Sequence, residues 1–455
     1  MDKQLKEKYG LITAIAMVVG IVIGSGVFFK AEKVLVATGG DLPLGILAWA
    51  LGGAIMVICA YTFSIMATHY SHINGVVDYA EATVGKGYAY FVGWFATFIY
   101  YPAMTSVLAW VSARYVGVLM GLDITGGPVM VLACLFLVGS YALNALSPIL
   151  AGKFQVTTTI IKLVPLLLMA VVGTIVGLGN GMTVQNFVTV VEPVAQGKGM
   201  ALFTALVATS FAYEGWIIAT SINAELKNSK RNLPIALVLG TLIVAAVYIL
   251  YYIGLAGGAT NAEMMASGEA GAKLAFENIF GRAAGVGLFV LVVISCLGTL
   301  NGLMLASTRG LYALAARGYG PKPEIFSEVD RHTNVPGNSA VAGVMICAIW
   351  LFYFYGANLT EGWFAPLRFD SSELPIITIY ALYIPIFLVM MIREKGLHPV
   401  KRFVMPVLAI LSCVFMVIAS IFAHRMGVVW YLIIFTVVML LSIPFYRGKG
   451  RKTKK

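Results

Sequence analysis

The segment from about Leu11 to Val36 is apolar and long enough to cross a bilayer, yet its centre reads Gly24-Ser25-Gly26. A glycine inside a helix costs about 1 kcal/mol relative to alanine, chiefly in backbone entropy, so two of them around a serine invite the helix to come apart. In hydrocarbon an unpaired backbone N–H or C=O costs several kcal/mol, which restricts such a break to a place that lines a cavity or binds something. Close helix packing through small residues is the competing reading of the same stretch. Either way, the run Val19-Gly20-Ile21-Val22-Ile23-Gly24-Ser25-Gly26-Val27-Phe28 sets a condition that the rest of the chain has to satisfy.

Apolar runs of this length recur from end to end. Hydrophobic residues make up 60% of the chain and charged residues 11%, against about 25% charged in soluble domains. The chain therefore reads as an all-α polytopic membrane protein, with no polar stretch long enough to fold alone. Met1 to Gly10 is short and charged and the first apolar run is too long for a signal-peptide core, so no cleavable signal is expected. Twelve transmembrane helices are expected, at approximately 11–38, 42–69, 88–120, 128–147, 152–178, 200–226, 233–256, 283–316, 338–356, 372–392, 401–422 and 427–446.

The net charge of +11 is no sign of nucleic acid, because it follows the loops of alternating sides. An even number of spans puts both termini on one side, and about 22 of the 31 Lys and Arg fall there, including Lys3, Lys6, Lys8, Lys227, Lys230, Arg231 and Lys401. This places both termini in the cytoplasm and the chain in the plasma (inner) membrane. The basic tail, 447–455, is then an orientation signal beside anionic lipid. Cys59, Cys134, Cys296, Cys347 and Cys413 all fall in apolar runs without metal-ligand spacing and read as small core residues.

Two connections exceed simple turns. Tyr70 to Gly87 has room for a short interfacial helix, and Gly258 to Arg282 contains a helix start at Thr260-Asn261-Ala262-Glu263 that suits a partial lid. Pro165, Pro385, Pro406 and Pro444 mark expected kinks. His69 and His72 lie near a helix end and read as loop residues.

A second oddity, Phe211-Ala212-Tyr213-Glu214-Gly215-Trp216, sits inside the sixth span. Counted from Gly199, Glu214 lies about 20 Å in, past the middle of a hydrocarbon core of roughly 30 Å. The first and sixth spans are five apart, as expected if residues 11–178 and 200–392 are inverted repeats, with 401–446 supplying two extra helices. Paired glycine interruptions at matching positions point to a transporter's binding site. Freed N–H groups of Ser25, Gly26 and Val27, backed by a half-helix dipole, suit a carboxylate. Freed carbonyls of Val22, Ile23, Phe211 and their neighbours suit an ammonium. Together they describe a receptor for an α-amino acid.

Lys162, in Thr157-Thr158-Thr159-Ile160-Ile161-Lys162-Leu163-Val164-Pro165, is the other polar residue at depth, about 15 Å from the cytoplasmic end. Insertion scales charge about 2.5–3.5 kcal/mol for a mid-span lysine, so a functional role is the default reading. Its ammonium is expected to reach the loose carbonyls of the first span, and it could carry a proton in a coupling cycle. A purely structural pair is the alternative.

The run Gly20 to Phe28 resembles the first-helix signature of the amino acid–polyamine–organocation (APC) superfamily. Phe211 to Trp216, with Glu225 and Lys227-Asn228-Ser229-Lys230-Arg231-Asn232-Leu233-Pro234, is similar to the sixth helix and following loop of the L-type amino acid transporter (LAT) family. Ser295-Cys296-Leu297-Gly298-Thr299-Leu300-Asn301-Gly302 resembles that family's eighth helix, and Lys162 stands where the family has its fifth-helix lysine. The resemblance implies a LeuT-like 5+5 inverted repeat with broken helices 1 and 6. It also implies sodium-independent transport of neutral amino acids, with Lys162 as a tethered cation where related folds bind sodium. Carried over, it gives Ser25 and Gly26, within the Val22 to Val27 stretch with Ile23 and Gly24, to the carboxylate. Backbone at Val22, Phe211 and Glu214 goes to the ammonium, Phe211 to a gate, and Trp216 and Asn301 to the wall, with Ala212 also counted among the substrate-binding residues. Two departures stand out. Many members have Gly or Asp where this chain has Glu214. The loop Gly121 to Pro128 also lacks the cysteine with which animal light subunits bind a heavy chain, so no disulfide-linked heavy subunit is expected, as suits a bacterial member.

Bland readings accompany several of these. Phe211 and Trp216 also fit as core aromatics, and Asn301 as a helix–helix hydrogen bonder. Tyr100 and Tyr101, ahead of Pro102, either line the cavity or pack, with packing preferred. The Glu214 side chain is neutral, solvated by a vestibule, or paired with an inner cation. The expected function is exchange of neutral L-amino acids by alternating access. Proton-coupled uptake of amino acids or amines is the alternative, and a membrane sensor, receptor or channel the reading from another class. No enzyme constellation, cofactor motif or metal-ligand spacing stands in the sequence.

Overall fold

The computed structural model describes residues 10–69, 75–192, 194, 197–217, 226–330, 335–360 and 363–446. The segment before Gly10, His72, Glu225 and the basic tail lie outside them.

The expected first span is two helices, α1 (Leu11–Val22) and α2 (Gly26–Ala37), bent by 51° about the intervening residues. They are followed by α3 (Leu42–His69), α4 (Lys86–Met120), α5 (Gly127–Leu146), α6 (Ile149–Gly179) and α7 (Lys198–Ala212). After these come α8 (Ser229–Leu255), α9 (Arg282–Ala315), α10 (Gly337–Leu359), α11 (Leu374–Arg393), α12 (Val400–His424) and α13 (Met426–Phe445). Among the described residues ten helices are long and apolar enough to cross a membrane, with the bent pair as an eleventh candidate. α7 is shorter because it stops at Ala212, where Tyr213, Glu214 and Gly215 form a turn. Gly215 has φ +101°, a conformation that a side chain would oppose. Much of the expected second half of that span, 218–225, is outside the described residues.

The short connecting helices stand where turn chemistry puts them. Val76–Thr83 lies in the Tyr70 to Gly87 connection. Asn261–Ser267 opens on a reciprocal cap, in which Thr260 Oγ1 accepts from the Glu263 N–H and the Glu263 side chain accepts from the Thr260 N–H. Asn261 also donates to the Gly40 carbonyl, tying this segment to the end of α2.

Burial sorts the helices into a core and a lipid-facing ring. The apolar window of α4 is 78% buried, whereas that of α13 is 11% buried, so α4 is central and α13 peripheral. The two halves of the broken span have different neighbours. α1 lies along α8, and α2 lies along α7. Around them α9 packs on α4, α10 and the first half of α6. α6 is itself interrupted at Lys162, where the segments Pro148–Ile161 and Leu163–Leu168 meet. Pro165 lacks the N–H that would bond the Ile161 carbonyl, so the helix loosens one turn before it.

Candidate functional site

The break between α1 and α2 opens onto a cavity of about 540 Å³. Gly20, Ile21 and Val22 of α1 and Gly24, Ser25 and Gly26 of the break form one wall. Tyr100, Tyr101 and Met104 of α4 face them, with Gln155, Thr159 and Lys162 of α6. Phe211, Ala212 and Glu214 from the end of α7, and Thr299, Gly302 and Leu303 of α9, complete it. The lining is mostly apolar with a few polar groups, the usual character of a small-molecule site.

Exposed residues border the cavity at one end. Thr13, Ala16, Val156 and Ile160 line it and are exposed, so its mouth is at the face from which α1 and α6 start. At the opposite end Phe29 and Phe211 meet edge to face, ring centroids 5.5 Å apart. Above them Lys30, fully buried, bonds Glu373 Oε1 at 2.5 Å and Ser372 Oγ at 3.1 Å, with its ammonium 5.2 Å from the Phe211 ring centre. Lys33 pairs with Asp370, and His424 Nε2 contacts Glu373 Oε2 at 3.0 Å.

Close backbone approach explains Gly26. A Cβ on Gly26 would lie 2.5 Å from the Ala212 Cα and 3.1 Å from the Phe211 carbonyl oxygen, so the start of α2 touches the end of α7. Two opposed helix ends therefore meet at the cavity. The N–H groups of Gly26, Val27 and Phe28 open α2 with no acceptor among the described residues, and no side chain caps them. They carry the positive end of the α2 dipole, while the last carbonyls of α7 carry the negative end of its own.

Other groups at the break have partners. The Ser25 N–H donates to Thr299 Oγ1 at 3.2 Å, and the Tyr248 hydroxyl donates to the Val22 carbonyl at 3.1 Å. Lys162 Nζ donates to the Gly20 carbonyl at 2.5 Å. Tyr100 donates its hydroxyl proton to Glu214 Oε1 at 2.7 Å, and Glu214 Oε2 is buried without a hydrogen-bond partner among the described residues.

The structure gathers most of the candidate residues and leaves some aside. Val22, Gly24, Ser25, Gly26, Lys162, Phe211, Ala212 and Glu214 line the cavity, while Ile23, Val27, Trp216 and Asn301 do not. Ile23 and Val27 are fully buried against neighbouring helices. Trp216 packs on Phe63 and Tyr383, turned away beyond Gly215. Asn301 is held by Asn144, Ala151 and Gln155. Tyr100 and Tyr101 pack ring against ring, as the preferred reading has it, and also line the cavity. Thr299, Tyr248, Gln155 and the Lys30–Glu373 pair were not singled out in sequence. Thr299 stood within the Ser295 to Gly302 motif and was the most accessible of these to sequence reasoning.

A family profile described as "Amino acid permease" matches residues 9–443, nearly the whole chain and all of the cavity. The chain belongs to the amino acid permease family. The permease is similar to the serine/threonine exchanger SteT of Bacillus subtilis (strain 168), 29% identical over 459 residues that span 99% of this chain and 98% of that one. It is also similar to the human b(0,+)-type amino acid transporter 1, 27% identical over 97% of this chain and 88% of that protein. These relatives agree with the superfamily and LAT-like resemblance carried by Gly20–Phe28, Phe211–Trp216 and Ser295–Gly302. Among solved structures, MhsT in complex with L-phenylalanine superposes on the permease with a TM-score of 0.57, covering 93% of this chain and 100% of that one. At 16% identity that likeness speaks for the fold alone.

Proposed function

We propose that the permease is a sodium-independent secondary transporter, not an enzyme, that exchanges neutral L-amino acids by alternating access. The observation that carries this reading is the meeting of the bare N-terminus of α2 with the C-terminus of α7 at one wall of the cavity. A carboxylate is favoured at the first and an ammonium at the second, each by helix-end charge. No soluble catalytic chemistry is needed, and no cofactor or disulfide-linked heavy subunit is invoked.

In this reading α7 and the residues beyond Glu214 form one broken span, giving twelve in all and a 5+5 inverted repeat with two further helices. Both termini are cytoplasmic and the membrane is the plasma membrane, following the Lys and Arg distribution. The cavity mouth is then cytoplasmic and the Phe29, Phe211 and Lys30 end faces outward. The Gly20 carbonyl, already occupied by Lys162 Nζ, supports sodium independence, because the ammonium supplies a positive charge against loose α1 carbonyls. The closed, aromatic outer end supports Phe211 as a gate over the substrate.

Purified permease in liposomes tests the reading. Vesicles loaded with an unlabelled neutral amino acid should accumulate the labelled one by saturable counterflow, equally in sodium and in choline. Absence of counterflow across a panel of all common amino acids, or a strict sodium requirement, would overturn it. The Tyr100–Glu214 pair, a buried carboxyl with one oxygen unbonded, supports proton-coupled uptake as a second reading. Uptake into empty vesicles driven by an inward proton gradient would select it over exchange.

A further inference from the structure

Asn301 lies off the cavity wall, but it acts on a residue that lines it. Asn301 Nδ2 donates to Gln155 Oε1 at 3.2 Å and to the Ala151 carbonyl at 3.3 Å. Its own Oδ1 accepts from Asn144 Nδ2 at 2.9 Å, and Asn144 Nδ2 also donates to the Ser140 carbonyl. The bonds run in one direction from α5 through α9 to α6. They occupy the side-chain oxygen of Gln155, whose NH2 group has no hydrogen-bond acceptor among the described residues. Buried amides in an apolar bundle are costly without partners and need a reason to be there.

Gln155 belongs to a polar line on α6. Gln155, Thr159 and Lys162 follow the spacing that places side chains on one helix face, and all three line the cavity. They run from the half-buried Gln155 and Thr159 near the mouth to the buried Lys162 at the break, a rise of about 10 Å. Thr159 Oγ1 spends its proton on the Gln155 backbone carbonyl at 2.8 Å, so its oxygen is left as an acceptor. This end of the cavity, which Thr13 also lines, thus offers N–H donors from Gln155 and a hydroxyl acceptor from Thr159 one turn apart.

We propose that Gln155 and Thr159 form a second subsite for the amino acid backbone between the break and the cavity mouth, with Asn301 and Asn144 as positioning residues that aim the Gln155 amide. The proposal rests on the amino acid transport reading above. The Gln155 NH2 takes the α-carboxylate and Thr159 Oγ1 takes an ammonium proton, so a substrate leaving the break exchanges its backbone partners one set at a time. The volume of about 540 Å³ is in the range that holds a drug-sized ligand, so an amino acid at the break leaves room toward the mouth.

The experiment is a comparison of half-saturation from the two sides, in proteoliposomes of uniform orientation, for wild type, Gln155→Glu, Gln155→Leu, Asn301→Leu and the Gln155→Leu/Asn301→Leu double variant. Gln155→Glu keeps an oxygen for Asn301 and replaces the NH2 by an acceptor, so folding is preserved while the carboxylate is repelled. The mouth-side half-saturation should rise about fivefold in Gln155→Leu, the worth of one hydrogen bond, and more in Gln155→Glu. The opposite side should stay within about twofold of wild type. Asn301→Leu should raise the same side, and the double variant should be no worse than Gln155→Leu, because Asn301 acts through Gln155. Equal effects on both sides, no effect, or additive losses would overturn the subsite. Wild type that fails to exchange any amino acid would instead overturn the transport reading.

Discussion

Lys30 and Glu373 are 343 residues apart in sequence and form a buried ion pair of 2.5 Å at the closed end of the cavity. The pair joins α2, the second half of the broken span, to the start of α11, and the Lys30 ammonium lies over both Phe29 and Phe211. Removing one partner of a buried pair leaves the other uncompensated, at a cost of about 3 kcal/mol to the closed end. Lys30→Ala and Glu373→Gln should therefore shift the permease toward opening on that side. In a Phe211→Cys background, an impermeant thiol reagent should react from outside at least tenfold faster when either change is present. The reciprocal exchange Lys30→Glu/Glu373→Lys should restore the slow rate. Unchanged labelling in both single variants would remove the pair from the gate.

The same cluster makes a statement about pH. Burial raises the Glu373 carboxyl, but Lys30 and His424 outweigh it and hold its pKa down at about 2, below its ordinary 4.5. Asp370 is likewise raised by burial and pulled far below the carboxylate range by Lys33 and Lys30. For depressed carboxyls the stabilisation is complete above the ordinary value and is lost as pH falls through the folded one. Outer acidification from pH 7 to pH 5 should leave the thiol labelling rate of the Phe211→Cys reporter unchanged. A marked acceleration by pH 5 would show that these carboxyls titrate far higher.

At the break, glycine substitutions should rank by what a methyl group meets. On Gly26 it meets backbone, the Ala212 Cα at 2.5 Å, whereas on Gly24 it meets the Thr299 side chain at 3.1 Å. Backbone cannot rotate aside, so Gly26→Ala should lose most counterflow and lower the melting temperature, by an overpacking cost of about 1–3 kcal/mol. Gly24→Ala should be the milder of the two. The reverse order in thermal melts and counterflow assays would contradict the packing of α2 on α7.

Lys162→Ala should reach the membrane but exchange at least tenfold more slowly, because the Gly20 carbonyl loses its charged donor beside the break. Counterflow in vesicles of matched protein content measures this. Wild-type rates would reduce Lys162 to a dispensable structural contact.

Phe211→Ala removes the ring that meets Phe29 and carries the Lys30 ammonium. The apparent affinity for substrate should fall about tenfold, a loss comparable to one aromatic contact plus burial. Identical saturation curves for every amino acid tested would leave Phe211 a packing residue.

What could be read from the chain alone follows local chemistry. Gly24-Ser25-Gly26 announced a break because glycine weakens a helix wherever it stands and lipid makes an unpaired backbone costly. Lys162 announced itself by depth, and the Thr260–Glu263 cap by spacing. The family resemblance assigns Trp216 and Asn301 to the wall, but the turn at Gly215 and the rotation of α9 send them elsewhere. A helical residue's facing changes by about 100° per position, so direction is decided by packing partners that a linear pattern does not name.

The sequence by itself determined that this is a multi-span helical membrane protein with a broken first span and a lysine buried at mid-depth, since apolar length, glycine and charge act on the backbone next to them. Only the tertiary structure decided that the cavity opens at the N-terminal face and that Tyr100 faces Glu214. It alone joined Lys30 to Glu373, and Asn144 through Asn301 to Gln155. Those are contacts between helices far apart in the chain, and their energies depend on distance and burial, which arise only when the helices assemble.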